Sequence, residues 1–543
     1  MHRNGQIQSG VIKKLRQRFY TSVTILHKSK MNIIFVGSFI FNILFKILNF
    51  IMKKFNREKP QRIPPNNNDL FELSASVLAK KIRLREITSQ EVVKAYIERI
   101  KQVNPIINAV VEDRFEEALE EAKICDKKIK DGEITSSEME KQKPLYGVPF
   151  TVKESCMLKG LSYTGGSYAR KGIKALDNGE AVELMRNAGG IPLCVTNIPE
   201  LCSGFDSYNL LFGKTYNPYN TRCTAGGSSG GEGALIGSGC SLIGIGSDLA
   251  GSIRIPALFN GIFGHKPSAG IVPYKDHLPF MDDETFKQYL VIGPLARYAE
   301  DLHLAMKVLS VKYNRDLHLD DPVDLKKLNV YYLEDIGHKI GLIETQEEIQ
   351  TCIREAVKHF KYCGSKVEEY PGSLTNIFDA VTRQLLLIKI PLLLDPNDFK
   401  NEQSVIYELL KTVLGCSQHT FGVVFAKIIM NISTYKESIK QELKIQFQYL
   451  TNLLGDNGVI ILPTFPLTAP TGKLIQLLMV NGISCTLSNC FGFPATNVPM
   501  GFDKNGLPIG FQVIAAPYQD RLCLALAKEL EKSFGGWVPP YRS

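Results

Sequence analysis

Two serines in glycine-rich surroundings, on either side of a short apolar run, constrain this chain more than any other feature. Ser228 lies within Gly-Gly-Ser-Ser-Gly-Gly, and Ser252 ends the segment Gly-Ser-Asp-Leu-Ala-Gly-Ser. Glycine-rich backbone can turn tightly and aim its N–H groups at an anion. The run 241–246 between the serines is typical of a buried strand, which would hold Ser252 in place. Two such loops around one strand favour a catalytic site over two ordinary surface loops.

Lys153 is the candidate base, because a serine hydroxyl is a weak nucleophile without one. It follows the apolar run 148–152 directly, and burial at such a position disfavours the charged form of an amine. A lysine at a strand end is usually just solvated, so this residue alone indicates little. Its place before Ser228 and Ser252 in the chain makes it a candidate.

Segment 226–230 also matches the Gly-x-Ser-x-Gly nucleophile elbow of α/β-hydrolases, which would make Ser228 the nucleophile. That elbow requires a strand directly before the serine. Here residues 217–223 read Asn-Pro-Tyr-Asn-Thr-Arg-Cys, which is typical of a turn, and no His-Gly-Gly-Gly motif precedes them. We therefore favour Ser252 as the nucleophile.

With this order of residues, the chain resembles the amidase-signature family of serine hydrolases. The resemblance is carried by segment 226–232, by segment 246–257 (Gly-Ser-Asp-Leu-Ala-Gly-Ser-Ile-Arg-Ile-Pro-Ala) and by Phe-Gly-His-Lys-Pro-Ser at 263–268. It covers residues 69–540. Segments 201–213 and 489–514 are most similar to the fatty-acid amide hydrolase branch of that family.

The resemblance implies a Ser-Ser-Lys mechanism. Ser252 would be the nucleophile and neutral Lys153 the base, reaching it through the hydroxyl of Ser228, whose preceding peptide bond is cis in this family. Amide cleavage also requires a proton for the departing nitrogen, which the same hydroxyl would return. The resemblance implies no metal and no organic cofactor.

The resemblance also implies supporting roles for residues near these three. Backbone N–H groups at the end of the nucleophile loop would form the oxyanion hole: Leu249, Ala250, Gly251 and Ser252. Position 250 departs from the family, in which glycine is common there. Polar side chains would hold the loops: Ser229, Asp248 and Arg254. Cys202 and Ser228 would contact the substrate near its carbonyl, and a small residue at 202 would widen the acyl channel.

Apolar runs that end in turn signals alternate with helical patterns through the rest of the chain. The runs typical of strands are 148–152, 191–195, 241–246, 329–333, 459–463 and 509–514. Residues 88–91, Thr-Ser-Gln-Glu, form a capping box before an amphipathic helix. This alternation predicts an α/β fold. The family resemblance makes it a large mixed β-sheet covered by helices on both faces, in one catalytic domain over 69–540.

The N-terminal segment 1–60 differs from the remainder in charge and hydropathy. Residues 1–57 hold eleven Lys/Arg and no Asp/Glu, so the net charge of +9 belongs to them. The catalytic part is close to neutral, which gives no nucleic-acid footprint. Residues 31–52 carry one charge and would form a helix of about 33 Å, long enough to span a bilayer core of roughly 30 Å. A polar stripe along this helix would equally suit an interfacial position, and a transit peptide stays open.

A second apolar region, 409–432, has two interpretations. The first is a packed core helix. The second is a hydrophobic cap at the mouth of the active site, which by resemblance to fatty-acid amide hydrolases would dip into the bilayer. In the second case the acyl chain would run from Ser252 past residues 201–205 toward this region.

We expect a membrane-attached serine amidase that hydrolyses fatty-acid amides to fatty acid and amine. A small-amide or amidotransferase-type amidase and an inactive lipid-binding protein are the alternatives. The twelve cysteines are scattered without a Cys-x-x-Cys pair, which argues against a structural zinc site or a disulfide framework. A lipid amide and a membrane are the expected partners, and a homodimer is left open.

Overall fold

Eleven strands form one mixed β-sheet in the part of the chain that the structure, a computed structural model, describes. That part comprises residues 41–45, 47, 48, 51, 59–66, 68–311, 317–337, 339, 341–371, 374–432 and 437–542. The strands, including the separate short pair β4 and β5, are β1 Val110–Asp113, β2 Pro149–Lys153, β3 Ile191–Thr196, β4 Tyr208–Asn209, β5 Gly213–Lys214, β6 Ile243–Asp248, β7 Phe263–Lys266, β8 Val291–Ala296, β9 Asn329–Tyr332, β10 Lys366–Glu369, β11 Gly458–Leu462, β12 Ala495–Phe502 and β13 Pro508–Ala515. All six predicted strands are therefore confirmed, and the sheet is mixed as expected.

The order across the sheet is β1-β3-β2-β6-β8-β7-β12-β13-β11-β9-β10. Strand β2 pairs in parallel with both β3 and β6, whereas β6 pairs antiparallel with β8. In the β2–β6 register Val152 lies opposite Ile245. Because parallel strands end at the same edge of a sheet, Lys153 comes to lie beside the carboxyl end of β6. The loop that follows β6 carries Ser252.

Helices cover both faces of this sheet. Along β13, Val513 and Ala515 belong to one apolar cluster and Ile514 to another, as expected for side chains that alternate between faces. Fully burying a side chain such as Val513 or Ile514 contributes about 1.5–3 kcal/mol. The described α-helices are Ala75–Arg83, Ser89–Ile107, Phe115–Lys130, Ser136–Lys141, Glu180–Asn187, Gly230–Gly237, Arg254–Phe259, Glu284–Tyr289, Ala299–Leu309, Glu347–Tyr362, Thr375–Leu386, Val405–Val413, Phe421–Ile432, Glu437–Leu454, Gly472–Ile475, Ile483–Cys490 and Asp520–Phe534.

The predicted capping box is confirmed at the start of the helix Ser89–Ile107. The Glu91 N–H donates to Thr88 Oγ1 over 3.1 Å, and the Thr88 N–H donates to Glu91 Oε2 over 2.8 Å. Two N–H groups at the helix start are thereby satisfied, which typically stabilises a helix by about 1 kcal/mol.

The core-helix interpretation of residues 409–432 is wrong. The region forms two helices, Val405–Val413 and Phe421–Ile432, joined by a loop. The first exposes large apolar side chains, with Val413 78% and Leu410 59% exposed. The second buries Val423 and Val424 but leaves Phe421 55% exposed. The pair therefore forms an apolar surface, and the cap interpretation fits it.

Only part of the expected N-terminal membrane helix lies within the described residues. Those residues between 41 and 51 are helical, and they contact the catalytic domain. The Glu344 N–H donates to Asn42 Oδ1 over 3.2 Å, and Phe45 is 7% exposed in a cluster with Phe205. Among the described residues no helix has the length and hydropathy needed to cross a bilayer. A spanning helix is therefore not shown, and most of segment 1–60 lies outside the described residues.

Candidate active site

Lys153 ends β2 in the protein interior with no exposed surface. Its Nζ lies 2.6 Å from Ser228 Oγ and 2.8 Å from Ser247 Oγ. The prediction that this lysine follows a buried strand is confirmed. Lys153 does not itself line the cavity described below, whereas both serine hydroxyls do. These two serines therefore connect Lys153 to the cavity by direct hydrogen bonds.

Ser228 lies two residues before the start of the helix Gly230–Gly237 and is 1% exposed. The peptide bond between Gly227 and Ser228 is cis, as the family resemblance implied. Residues 217–227 form turns and two isolated β-bridges, so no strand leads into Ser228. The nucleophile-elbow interpretation therefore lacks the strand it needs.

Ser252 lies in the loop after β6 and lines the same cavity as Ser228. The Ser229 N–H donates to the Ser252 carbonyl oxygen over 3.1 Å, which joins the two serine loops through their backbones. Within the described residues no hydrogen bond links the Ser252 and Ser228 hydroxyls. Catalytic hydrogen bonds are often long before a substrate binds. The three predicted residues thus converge, and the contact between the two hydroxyls stays a prediction.

A buried ion pair fixes the shape of the nucleophile loop. Asp248 accepts hydrogen bonds from the N–H groups of Gly251, over 2.7 Å, and Ile253, over 3.0 Å. The Arg254 guanidinium donates to both carboxylate oxygens, over 3.0 and 2.9 Å. Burial opposes ionisation of Asp248, but Arg254 and the two amides outweigh it and hold its pKa well below the ordinary range. The predicted loop-holding role of Asp248 and Arg254 agrees with these contacts.

The four amides expected to form an oxyanion hole divide into two groups. Leu249, Ala250 and Ser252 line the cavity. Gly251 does not line it, and its N–H is already engaged by Asp248. With φ of +110°, Gly251 occupies backbone space that other residues rarely adopt, and a Cβ there would lie 2.8 Å from Cys485 Cβ. The glycine therefore shapes the loop.

Two polar residues beside Lys153 were not predicted from the sequence. Ser247 Oγ lies 2.8 Å from Lys153 Nζ and 2.8 Å from His277 Nε2. Ser247 could have been noticed, because it immediately precedes the Asp248 loop. His277 gives no such signal, because it lies in a loop whose position only the folded structure defines. Both residues are 2% exposed and line the cavity.

Glu232 forms a second buried polar cluster behind Lys153. Its carboxyl group accepts hydrogen bonds from Thr151 Oγ1 over 2.6 Å and Thr196 Oγ1 over 2.8 Å. Burial raises the pKa of Glu232 from 4.5 to about 8, against the lowering effect of these hydroxyls and of Lys153. The side chain is therefore protonated at neutral pH, which limits the negative charge beside Lys153.

The serines open into a cavity of about 390 Å³, within the range of small-molecule binding sites. Its polar end holds Ser228, Ser252 and His277. The rest of the wall is mostly apolar, with Ser203, Thr382, Gln476 and Thr486 as polar members. Its apolar residues are Leu201, Phe205, Phe286, Leu290, Leu385, Leu386, Ile390, Leu392, Phe425, Ala426, Ile429, Met430, Met479 and Val480. Cys202 lines the cavity as predicted, and the predicted course past 201–205 toward residue 430 agrees with this wall. The contribution of residues 382–392 was not predicted.

Glu200 joins the loop that carries Cys202 to the helix Phe421–Ile432. Its carboxylate accepts a hydrogen bond from His419 Nδ1 over 2.8 Å and one from the Thr420 N–H over 2.7 Å. Leu201 and Cys202 both have positive φ, of 48° and 58°. Such backbone in non-glycine residues requires support from the surrounding structure. The Glu200 contacts provide that support and fix the position of the cavity wall.

Comparison with known proteins identifies the family of this chain. The family model described as Amidase matches residues 91–524. The chain belongs to the amidase family. Fatty-acid amide hydrolase 2-B of Danio rerio is 39% identical over 499 residues, covering 89% of this chain and 93% of that protein. Fatty-acid amide hydrolase 2 of Homo sapiens is 37% identical over 502 residues, with 90% and 93% covered. This amidase is therefore an amide hydrolase close to fatty-acid amide hydrolase 2.

The amidase also shares its fold with solved structures. A structure described as fatty acid amide hydrolase superimposes with a TM-score of 0.72 at 22% identity, covering 93% of this chain and 95% of that one. Because the identity is this low, the likeness shows the fold alone. The predicted amidase-signature fold is thereby confirmed.

Proposed function

We propose that this amidase hydrolyses fatty-acid amides to a fatty acid and an amine through Ser252, Ser228 and Lys153. The observation that carries the proposal is the cavity, which holds the two serines and has a mostly apolar wall. Such a wall favours a long hydrocarbon chain, with about 0.8 kcal/mol gained for each buried methylene group. The names of the relatives that are 37–39% identical support the same substrate class.

In the first step Ser252 Oγ attacks the amide carbonyl carbon. The Ser252 hydroxyl proton passes to Ser228 Oγ, and the Ser228 proton passes to the lone pair of neutral Lys153. A C–O bond forms, the carbonyl π-pair moves to oxygen, and no atom leaves. The 2.6 Å separation of Lys153 Nζ and Ser228 Oγ supports this route, because proton transfer requires such a contact.

The oxyanion formed in that step needs donors aimed at it. We assign them to the backbone N–H groups of Leu249, Ala250 and Ser252, which lie on the cavity wall. Gly251 is assigned to loop shape, because its N–H is held by Asp248. Removal of one oxyanion donor typically lowers the rate about 100-fold or more.

Collapse of the tetrahedral intermediate breaks the C–N bond. The proton on Lys153 returns through Ser228 to the departing nitrogen, which leaves as an amine. Water then attacks the acyl–Ser252 ester, and its proton follows the same route to Lys153. The fatty acid leaves, and Ser252 recovers its proton from Ser228. Each cycle thus consumes one amide and one water.

We propose that the protein attaches to a membrane through an exposed apolar surface rather than through a spanning helix. The helix Phe421–Ile432 lines the cavity with Phe425 and Ile429 and leaves Phe421 55% exposed. The neighbouring helix adds exposed apolar side chains next to it: Ile406, Leu410, Val413 and Leu414. A surface of this kind buries apolar area in the interface and brings the cavity mouth toward lipid.

Two measurements test the proposal together. A fluorophosphonate probe should label Ser252, and Ser252→Ala should abolish both labelling and hydrolysis. Rates should be compared for amides from acetyl to arachidonoyl, and kcat/KM should rise several-fold with each two-carbon extension until the cavity is full. A flat profile, or one highest for acetamide, would favour the small-amide alternative. No labelling and no turnover would favour a lipid-binding protein.

A further inference from the structure

A histidine extends the polar contacts of Lys153 through Ser247. His277 Nε2 lies 2.8 Å from Ser247 Oγ, which in turn lies 2.8 Å from Lys153 Nζ. The three side chains are at most 2% exposed, so bulk water does not compete for these contacts. Backbone hydrogen bonds hold the loop around His277. The Leu278 N–H donates to the Ser155 carbonyl oxygen over 2.9 Å.

The other ring nitrogen defines the tautomer of His277. Its Nδ1 lies 3.1 Å from the carbonyl oxygen of Pro279. A carbonyl oxygen only accepts hydrogen bonds, so Nδ1 carries the proton and donates. In the neutral ring Nε2 is then an acceptor. Burial, with the positive charge of protonated Lys153, lowers the pKa of His277 to about 3, so the ring stays neutral at physiological pH.

That tautomer sets the direction of the hydrogen bonds that link His277 to Lys153 through Ser247. Ser247 Oγ–H donates to His277 Nε2, and its lone pairs are left to face Lys153. Lys153 can meet them only as an N–H donor. The lone pair of the neutral amine is then left for Ser228, which lies 2.6 Å away.

We propose that His277 is a positioning residue that, through Ser247, directs the lone pair of Lys153 toward Ser228. This inference rests on the proposed Ser-Ser-Lys function. Without an acceptor at His277 Nε2, the Ser247 hydroxyl would turn and donate to Lys153 itself. The lone pair of Lys153 would then accept from Ser247, and Ser228 would lose its proton acceptor.

Other polar groups near His277 bear on the direction of the Ser247 hydrogen bonds. Ser155 Oγ lies 3.0 Å from His277 Nε2, longer than the contact of Ser247 with the same nitrogen. The titratable groups around His277 include Lys153, Cys156, Glu232 and Cys202, whose Sγ lies 3.6 Å from the Leu278 carbonyl oxygen. Burial raises the pKa of the Cys156 thiol to about 12 and that of Glu232 to about 8, so both are protonated at neutral pH. Ser247 therefore provides the main polar link between His277 and Lys153.

The test measures steady-state amide hydrolysis of the full chain as a function of pH. His277→Leu removes the acceptor and should lower kcat by at least about 10-fold, part of what a positioned base contributes, with KM within about 3-fold of wild type. Its acid limb should move to lower pH, because a hydroxyl donated to the amine stabilises the neutral form. His277→Gln retains an acceptor and should recover most of kcat. His303→Leu, at a half-buried histidine elsewhere, is the matched control.

A double mutant shows whether the effect passes through Ser247. If it does, His277→Leu should add nothing further in a Ser247→Ala background. Effects that multiply, or a His277→Leu profile that superimposes on that of wild type, would overturn the proposal. Should His277→Leu fail to fold, Ser247→Val and Ser247→Thr give the same comparison, since only threonine keeps the hydroxyl. Failure of the proposed function is separate, because wild type would then show no amide hydrolysis, or Ser252→Ala would leave hydrolysis intact.

Discussion

His419 Nδ1 donates to Glu200 Oε1 over 2.8 Å. This hydrogen bond joins the segment before the helix Phe421–Ile432 to the loop that shapes the cavity near Ser252. Because a carboxylate only accepts, the His419 proton lies on Nδ1. His419→Ala should leave the Glu200 carboxylate with only the Thr420 amide, at a cost of about 1–3 kcal/mol in the free energy of unfolding. KM for long-chain amides should rise more than KM for short ones. Urea unfolding and steady-state kinetics measure the two effects, and equal changes in KM for all chain lengths would contradict the link to the cavity.

Lys153→Ala should lower kcat far more than it raises KM, because the amine acts on the proton and not on substrate binding. The loss should shrink as pH rises, since hydroxide partly replaces the missing base. Ser228→Ala should keep slow residual activity, because a water can partly replace a relay hydroxyl. Rates measured between pH 6 and pH 10 check this prediction. A Lys153→Ala profile of the same shape as that of wild type would remove the lysine from the base role.

Glu232 should make the protein less stable as pH rises through the neutral range. Burial raises its pKa from 4.5 to about 8, so the folded chain holds a proton that the unfolded chain releases. The unfolded state then binds fewer protons, and the free energy of unfolding falls between about pH 4.5 and pH 8. Glu232→Gln is neutral throughout and should lack this fall. Urea midpoints at pH 5, 6.5 and 8 measure it, with exposed Glu369→Gln as control; parallel slopes for wild type and Glu232→Gln would refute the prediction.

Cys202→Phe should shift the substrate profile toward shorter or thinner acyl chains. Cys202 lines the cavity beside Leu201, so a phenyl ring there would take up volume near the scissile bond. Cys202→Ala keeps the space and should retain the wild-type order of substrates. The ratio of kcat/KM for long-chain to short-chain amides is the measurement. An unchanged ratio in Cys202→Phe would place residue 202 outside the acyl path.

Val413→Glu combined with Leu414→Glu should weaken binding to phosphatidylcholine vesicles. These side chains are 78% and 76% exposed, and each apolar residue buried in an interface contributes about 1.5–3 kcal/mol. The pair should therefore lower partitioning by at least about 10-fold in a vesicle sedimentation assay. Leu176→Glu, at an exposed leucine elsewhere, is the control. Equal binding of both variants would show that attachment uses another part of the chain.

Strand positions and the serine loops were predictable because each depends on short-range pattern. Residues 148–152 and 509–514 are mostly apolar runs bounded by turns, and such runs become strands buried on both faces. Region 409–432 kept two interpretations because an apolar run gives no indication of whether its partner is protein or lipid. His277 could not be found at all. Its contacts with Ser247 and Ser155 span 30 and 122 residues of sequence, so they exist only after the sheet has assembled.

The guanidinium of Arg254 also bonds Ser488 Oγ, Asn489 Oδ1 and Gln512 Oε1, each over 2.7 Å. The loop that carries the nucleophile is thus completed by residues synthesised more than two hundred positions later. A nascent chain that ends before the helix Ile483–Cys490 lacks all three of these acceptors, and one that ends before β13 still lacks Gln512. The loop that carries Ser252 can therefore reach its final shape only after nearly the whole domain has been synthesised.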